Sequence, residues 1–279
     1  MEGHNEFGKI PKPNIETLED TCPVHPNQRM FKLNRIVYVD GKSKELQPFC
    51  PECARTNISN REAKGIERNE EASLLVRTYN VLMRDSTIPS ELKDATFDNY
   101  KAETQEEKDL LEFFKGQTRK YWNDMKGNTL VTGSTGIGKS HLSVAMAKLL
   151  NEQYKKIGKP KSFLFVNMTE IIKQIKAGWA DKVGQGVTEN QIVKRLTEAD
   201  FLILDDLGAQ NTEVKAKSDW EQDLLFDILD KRERTIINTN LTSNELKIAY
   251  NARNFSRMLK GSDGNIFKAG NIEDKRLKI

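Results

Sequence analysis

The sequence predicts an α/β protein built on a parallel sheet with helices over both faces. Three observations carry that expectation. From about residue 104 onward, compact apolar strands alternate with helical stretches, as crossover-connected parallel strands require. The strand "TLVTG" runs into Gly133-Ser-Thr-Gly-Ile-Gly138-Lys139-Ser140 and then an apolar-rich helix, the context in which G-x-x-x-x-G-K-[ST] cradles phosphate. A further strand, "FLILD", carries an aspartate to its carboxyl tip, where sheets of this class bind ligands.

Composition sets the limits. A length of 279 residues leaves room for one mid-sized domain and a smaller one. With 37% hydrophobic and 30% charged residues, the chain matches a globular protein with a highly charged surface. The net charge of +3 permits acidic partners without demanding them, so a nucleic-acid surface would have to be a local patch. No window approaches about 18 consecutive apolar residues, which argues against a membrane-spanning helix. The start "MEGHNEFGKIPKPN" lacks the basic and apolar regions of a secretory signal. The cytoplasm is therefore the expected compartment, where three cysteines do not form a disulfide framework.

Taken in order, residues 1–20 are polar and proline-containing and read as a flexible arm. Residues 21–57 hold every cysteine around "MFKLNRIVYV", a run of strand character. "CPVH" and "CPEC" place Cys22, His25, Cys50 and Cys53 in two pairs, each spaced for one tight turn to present two zinc ligands. Four protein ligands leave no open coordination position, so the expected zinc is structural and stabilises a region too small to sustain a core. The plainer alternative is an inert thiol cluster.

Residues 58–87 are strongly charged, with Leu74, Leu75, Tyr79, Leu82 and Met83 near helical spacing, and are expected to be a helical connector. "STIPSELKDATFDNYKAET" breaks that pattern with Pro89 and turn formers, which puts a nucleotide-binding domain over 88–279. Within it the expected order is a helix over about 104–125, "TLVTG", a helix from Lys139, "SFLFVN", helical stretches from Thr169 to about Glu198, and "FLILD". A helix over about Lys217–Arg232, "TIINTN" and two shorter helices follow.

The glycines of the loop allow backbone amides to close around phosphates without side-chain clashes. Gly133, Ser134, Thr135, Gly136, Ile137, Gly138, Lys139, Ser140 and His141 form the expected nucleotide-phosphate contact. Lys139 would hold the β- and γ-phosphates and Ser140 would offer its hydroxyl to Mg²⁺. Asp205 would support Mg²⁺ through its water shell, while Asp206, one residue further and off the strand, would reach the attacking water. Asn240 ends "TIINTN", where its amide can meet the γ-phosphate or simply start a turn.

"GSTGIGKSHLSVAMA", "LTEADFLILDDLGAQ", "TIINTNLTSNEL" and "RNFSRML" together resemble the AAA+ P-loop ATPases, and among them the DnaC/DnaI-type helicase loaders and the IstB-like transposition ATPases. The resemblance spans about residues 88–279, and the cysteine-bearing region and connector extend it toward the DnaI-type loaders. It implies a five-stranded parallel sheet, with ATP, Mg²⁺ and Zn²⁺ as cofactors. It also implies self-association through the ATP site and a hexameric replicative helicase of the DnaB type as partner. Asn240 would be the first sensor, Arg257 the arginine finger reaching a neighbour's ATP, and Arg253 the second candidate; surface salt bridges are the plainer role for both. Only about 140 residues follow Lys139, too few for a large C-terminal lid. Asp206 stands where many relatives carry Glu, which implies slow hydrolysis. After the second core strand, Lys173, Lys176 and Trp179 fall three apart with Lys182 beyond, a spacing that suits single-stranded DNA or an ordinary solvated face. The resemblance implies an ATP-dependent helicase loader. An IstB-like ATPase assisting a transposase, or a regulatory module whose ATP site is hydrolytically idle, stays open beside it.

Overall fold

The computed structural model describes residues 14–34, 36–39, 42–180, 186–208 and 214–270. The chain forms two compact units, Met1–Ala72 and Ser73–Ile279.

In the first unit, β1 (Ile15–Thr21) pairs antiparallel with β2 (Arg29–Leu33), and β3 (Ile36–Val39) with β4 (Lys42–Glu45). Residues 15–20 of the arm expected over 1–20 instead belong to β1, where Ile15 pairs with Leu33; residues 1–13 lie outside the described ones. The run "MFKLNRIVYV" has the expected strand character and divides between the two hairpins. Among the described residues of this unit only Cys22 and Cys50 are buried. α1 (Pro51–Arg77) buries none of its residues, as its charge-dense sequence dictates. Described residues that bury only two cysteines need another staple.

The boundary expected between residues 87 and 88 falls inside the second unit, which begins at Ser73. The reason is packing. α2 (Val81–Asp85) buries Val81 and Leu82, and the buried Asn151 donates its amide to the Tyr79 carbonyl at 2.9 Å.

The second unit continues with a 3₁₀ turn at Ser90–Leu92, α3 (Gln105–Trp122), β5 (Thr129–Thr132), α4 (Lys139–Lys156) and β6 (Phe163–Asn167). α5 (Met168–Ala180), α6 (Glu189–Glu198), β7 (Phe201–Leu207) and α7 (Asp219–Asp230) follow. The described chain closes with β8 (Thr235–Thr239), α8 (Ser243–Ala249), α9 (Ala252–Met258) and β9 (Ile266–Lys268). The strands form one five-stranded sheet in the order β6-β7-β8-β5-β9, every pair parallel.

Strand alternation sorts the core into two layers. Leu164, Val166, Leu202, Leu204 and Ile237 face α5, α6 and α7, whereas Phe163, Phe165, Phe201, Ile203 and Ile236 face α3 and α4. Phe163 and Phe201, paired in register, stack their rings 4.4 Å apart. Each such buried side chain contributes roughly 1.5–3 kcal/mol. α3 starts at a full capping box, Thr104 with Glu107, which fixes where the helix begins beside the sheet. No helix among the described residues is long and apolar enough to cross a membrane.

Candidate nucleotide-binding site

The loop between β5 and α4 leaves the carboxyl end of the central sheet and turns on glycines. Gly138 has φ of 97°, the left-handed region, and a Cβ there would collide with the Tyr100 ring. Tyr100 is buried against the loop and donates its hydroxyl to the Ile137 carbonyl at 2.8 Å. Ile137 anchors the loop in the core, while Ser134 and Thr135 are exposed on its outer curve. His141, next along α4, lies 2.9 Å from the Thr96 carbonyl through Nε2, so the segment before α3 is tied once to the loop and once to the start of α4.

Lys139 is 5% exposed, and its ammonium donates to the carbonyls of Gly133 at 2.7 Å and Ser134 at 2.8 Å. It also donates to Asn240 Oδ1 at 2.8 Å, just past β8. The loop cation and the amide read as a γ-phosphate sensor therefore meet directly. Beside them, Ser140 Oγ donates to both carboxylate oxygens of Asp205, at 3.0 and 2.8 Å. Hydroxyl and carboxylate are hard oxygen donors, and their convergence at the loop suits Mg²⁺, which Ser140 and Asp205 would hold. Burial pushes the Asp205 carboxyl up to about 6; hydrogen bonds from Asn238 and Ser140 and the charge of Lys139 oppose that rise, and the charge of Asp206 adds to it.

Asp206 differs in one respect from expectation. It is not beyond the strand: β7 runs to Leu207, with a register shift between Leu204 and Leu207. The bulge puts Asp206 at φ of 53°, a left-handed conformation costly for a non-glycine residue and concentrated at functional sites. Its Oδ2 accepts the Asn167 amide at 2.9 Å, and Asn167 Oδ1 in turn accepts the Glu170 N–H at 3.2 Å at the start of α5.

Sequence reasoning passed over Asn238, Ser143 and Asn167. Asn238 is fully buried in β8 and donates to Asp205 Oδ1 at 2.8 Å and to Ser143 Oγ at 2.9 Å. A polar residue inside the apolar run "TIINT" is the signal that marks it. Asn167 ends "FLFVN" as Asn240 ends "TIINTN", and such terminal amides read as turn starters until their partners are in view.

In the first unit Cys22, His25, Cys50 and Cys53 converge, with all four ligand atoms within 4.8 Å of one another. A tetrahedron with bonds of about 2.3 Å has edges of about 3.8 Å. Cys22 and Cys53 sulfurs lie 3.6 Å apart, and His25 Nδ1 lies 3.8, 3.6 and 3.3 Å from the sulfurs of Cys22, Cys50 and Cys53. The set could hold a metal ion through Nδ1. Burial pushes the Cys22 thiol up, but backbone N–H groups of His25 and Val24, with side-chain hydrogen bonds to His25 and Cys53, together outweigh it and bring it down to about 6. Cys53, hydrogen-bonded to Cys22, is pushed up to about 11.

The family described as IstB-like ATP binding protein matches residues 56–256, most of the chain and all of the phosphate site. This chain belongs to that family. No curated protein matches it. Among solved structures it is similar to the DnaC helicase loader, with 23% identity over 65% of this chain and 100% of that chain and a TM-score of 0.46. The crystal structure of DnaI matches at 23% identity, covering 62% of this chain and 90% of that one, TM-score 0.47. AMPPCP-bound DnaA from Aquifex aeolicus matches at 16% identity, covering 68% and 54%, TM-score 0.49.

Two groups of expected residues in this IstB-like chain lie apart from the phosphate loop. Arg253 and Arg257 project from α9 toward α7, where Arg253 pairs with Asp223 at 3.0 Å and Arg257 Nε lies 2.7 Å from Asp230. The Arg253 guanidinium also lies 3.6 Å from the centre of the Phe226 ring. Asn128 donates to the Arg257 carbonyl at 2.8 Å, which puts Arg257 by the amino end of β5, opposite the end that carries the loop. On α5, Ile171, Ile172 and Ile175 are buried while Lys173, Lys176 and Trp179 are exposed. Trp179 meets Trp220 edge-on at 4.6 Å, and Lys176 lies 3.9 Å from Glu221 and 5.6 Å from the Trp220 ring. Lys182 lies outside the described residues.

Proposed function

We propose that the chain is an ATPase that binds a hexameric replicative helicase and delivers it onto single-stranded DNA in the cytoplasm. One arrangement carries the ATPase part: Lys139 bridges the loop to Asn240, while Ser140, Asp205 and Asn238 form an oxygen-rich cluster beside it. The family match supports ATP binding. MgATP would add the γ-phosphate charge and a Lewis acid at Ser140 and Asp205. Lys139 would hold the phosphates, Asn240 would register the last of them, and Asp206 would orient and polarise the attacking water. Arg257 would complete the site of an adjoining protomer, so that ATP joins copies and its hydrolysis releases them.

The helicase reading rests on the sequence motifs together with the Cys/His cluster, which under zinc would brace the first unit. Residues 21–57 would grip the helicase, and the second unit, from Ser73, would form the ATPase. The exposed face of Lys173, Lys176 and Trp179, with Lys182, would contact single-stranded DNA through phosphates and a stacked base. Size-exclusion chromatography of the full chain with a hexameric replicative helicase tests the reading. ATP-dependent co-elution that Lys139→Ala abolishes is the expected result. No co-elution under any nucleotide condition overturns it, and ATP-dependent capture of a transposase in its place supports the IstB-like alternative.

A further inference from the structure

Between α3 and α4, with Phe97 and Asp98 of the segment before α3 along it, lies a cleft of about 420 Å³, the size of a small-molecule site. Its α4 wall begins at Leu149, ten residues beyond Lys139 and so about 15 Å along the helix from the phosphate loop. The cleft is therefore separate from the nucleotide site. Its apolar lining is Phe97, Trp122 and Leu149; Trp122 and Leu149 are 37% and 40% exposed. The Trp122 ring rests on Tyr154 at 5.0 Å, which fixes its plane. Beside these walls, Lys115 and Arg119 stand one turn apart on α3. Lys115 pairs with Glu112 at 2.9 Å, a part-exposed contact worth little in water. The exposed Arg119 guanidinium meets no acceptor among the described residues. Asp98 is the one acid in the lining.

These groups select an occupant. A flat aromatic ring gains by stacking on the fixed indole, and a guanidinium fork beside an ammonium suits a phosphate. Asp98 accepts from N–H donors, which guanine offers on its pairing edge. A nucleic-acid strand fits less well, because a tracking groove needs a run of cations, and here two cations stand between Asp98 and Glu112. We propose that this cleft binds a free nucleoside phosphate, with its base against Trp122 and Phe97 and its phosphate on Arg119 and Lys115. The occupant has a route to the loop. Phe97 and Asp98 lie between Thr96, tied to His141 at the start of α4, and Tyr100, which donates to the Ile137 carbonyl. A ligand on them steadies the segment that braces the loop, so cleft and loop binding favour each other. This regulatory half rests on the reading that the loop binds ATP; the cleft itself does not.

Calorimetric titration of the full chain with GMP tests the site, and Lys139→Ala removes the loop as a competing site. GMP is expected to bind Lys139→Ala in the micromolar range, with inorganic phosphate and guanosine each weaker by about tenfold or more. Adding Arg119→Glu or Trp122→Leu should weaken GMP binding by about tenfold or more with the circular dichroism spectrum unchanged. If Trp122→Leu does not fold, the exposed Arg119→Glu decides alone. No GMP binding to Lys139→Ala, or equal affinity with Arg119→Glu, overturns the site. A single-stranded oligonucleotide that displaces GMP, binds more tightly and depends equally on Arg119 overturns the free nucleotide in favour of a strand. With Lys139 intact, saturating GMP should lower the Kd for MgATP by about fivefold or more, and Arg119→Glu should abolish that effect. An unchanged or raised Kd overturns the regulatory half. A chain that ignores MgATP yet binds GMP through Arg119 supports the cleft and overturns the reading of the loop.

Discussion

Asp205 ends four apolar residues of β7 and is 5% exposed, so its charge is carried almost without solvent. Burial raises its carboxyl from the ordinary 3.8 to about 6. The sign follows from linkage: between about pH 4 and pH 6 the folded protein holds this proton and the unfolded chain has lost it, so stability falls as pH rises through that window. Above it, the ionised group costs about 3 kcal/mol relative to water. Asp205→Asn removes the charge and keeps the shape. Asn238 can still donate to the remaining oxygen, and Ser140 can accept from the new amide. In metal-free and nucleotide-free buffer at about pH 8, the variant should be about 1–3 kcal/mol more stable than the parent, and the gap should close near about pH 4. Urea titrations followed by tryptophan fluorescence measure this on the second unit alone, because Trp122, Trp179 and Trp220 all lie there. A variant of equal or lower stability at the higher pH, or a gap independent of pH, would refute the argument. The stabilised variant should at the same time lose Mg²⁺-dependent ATP binding.

Three further outcomes follow from the same geometry. Purified chain should carry about one zinc, and Cys53→Ser or a strong chelator should release it and unfold the first unit, as metal analysis with circular dichroism would show; a metal-free chain with the same spectrum counts against the site. Arg257→Ala should change stability by less than about 1 kcal/mol, because its pair with Asp230 is part-exposed, yet abolish ATP-dependent self-association in sedimentation velocity. Unaltered assembly and turnover would leave Arg257 as a surface ion pair. Trp179→Ala should weaken binding of a labelled single-stranded oligonucleotide by about 1–3 kcal/mol in anisotropy titrations, and equal affinity would remove α5 from the DNA surface.

The phosphate loop, β7 with its terminal aspartates and the Cys/His set were legible because each is a short-range pattern. Glycine spacing, an apolar run ending in a charge, and ligands two residues apart all show within a single element. The connector was legible as helix from the near-helical spacing of Leu74, Leu75, Leu82 and Met83, but its boundary was not, since burial of Val81 and Leu82 depends on what they meet. β9, three residues long, lacks the length to register as a strand by periodicity. Asn238 and Asn167 were missed because their partners lie 33 and 39 residues away, beyond the reach of any local pattern.

By itself the sequence determined that this protein folds as alternating strands and helices around a phosphate loop, because backbone period and glycine freedom are local properties of the chain. Only the tertiary structure decided which groups the loop meets. Lys139 reaches Asn240 across 101 residues, and Ser140 reaches Asp205 across 65. Strand order sets those meetings, and strand order is chosen by how whole apolar faces pack rather than by any residue alone.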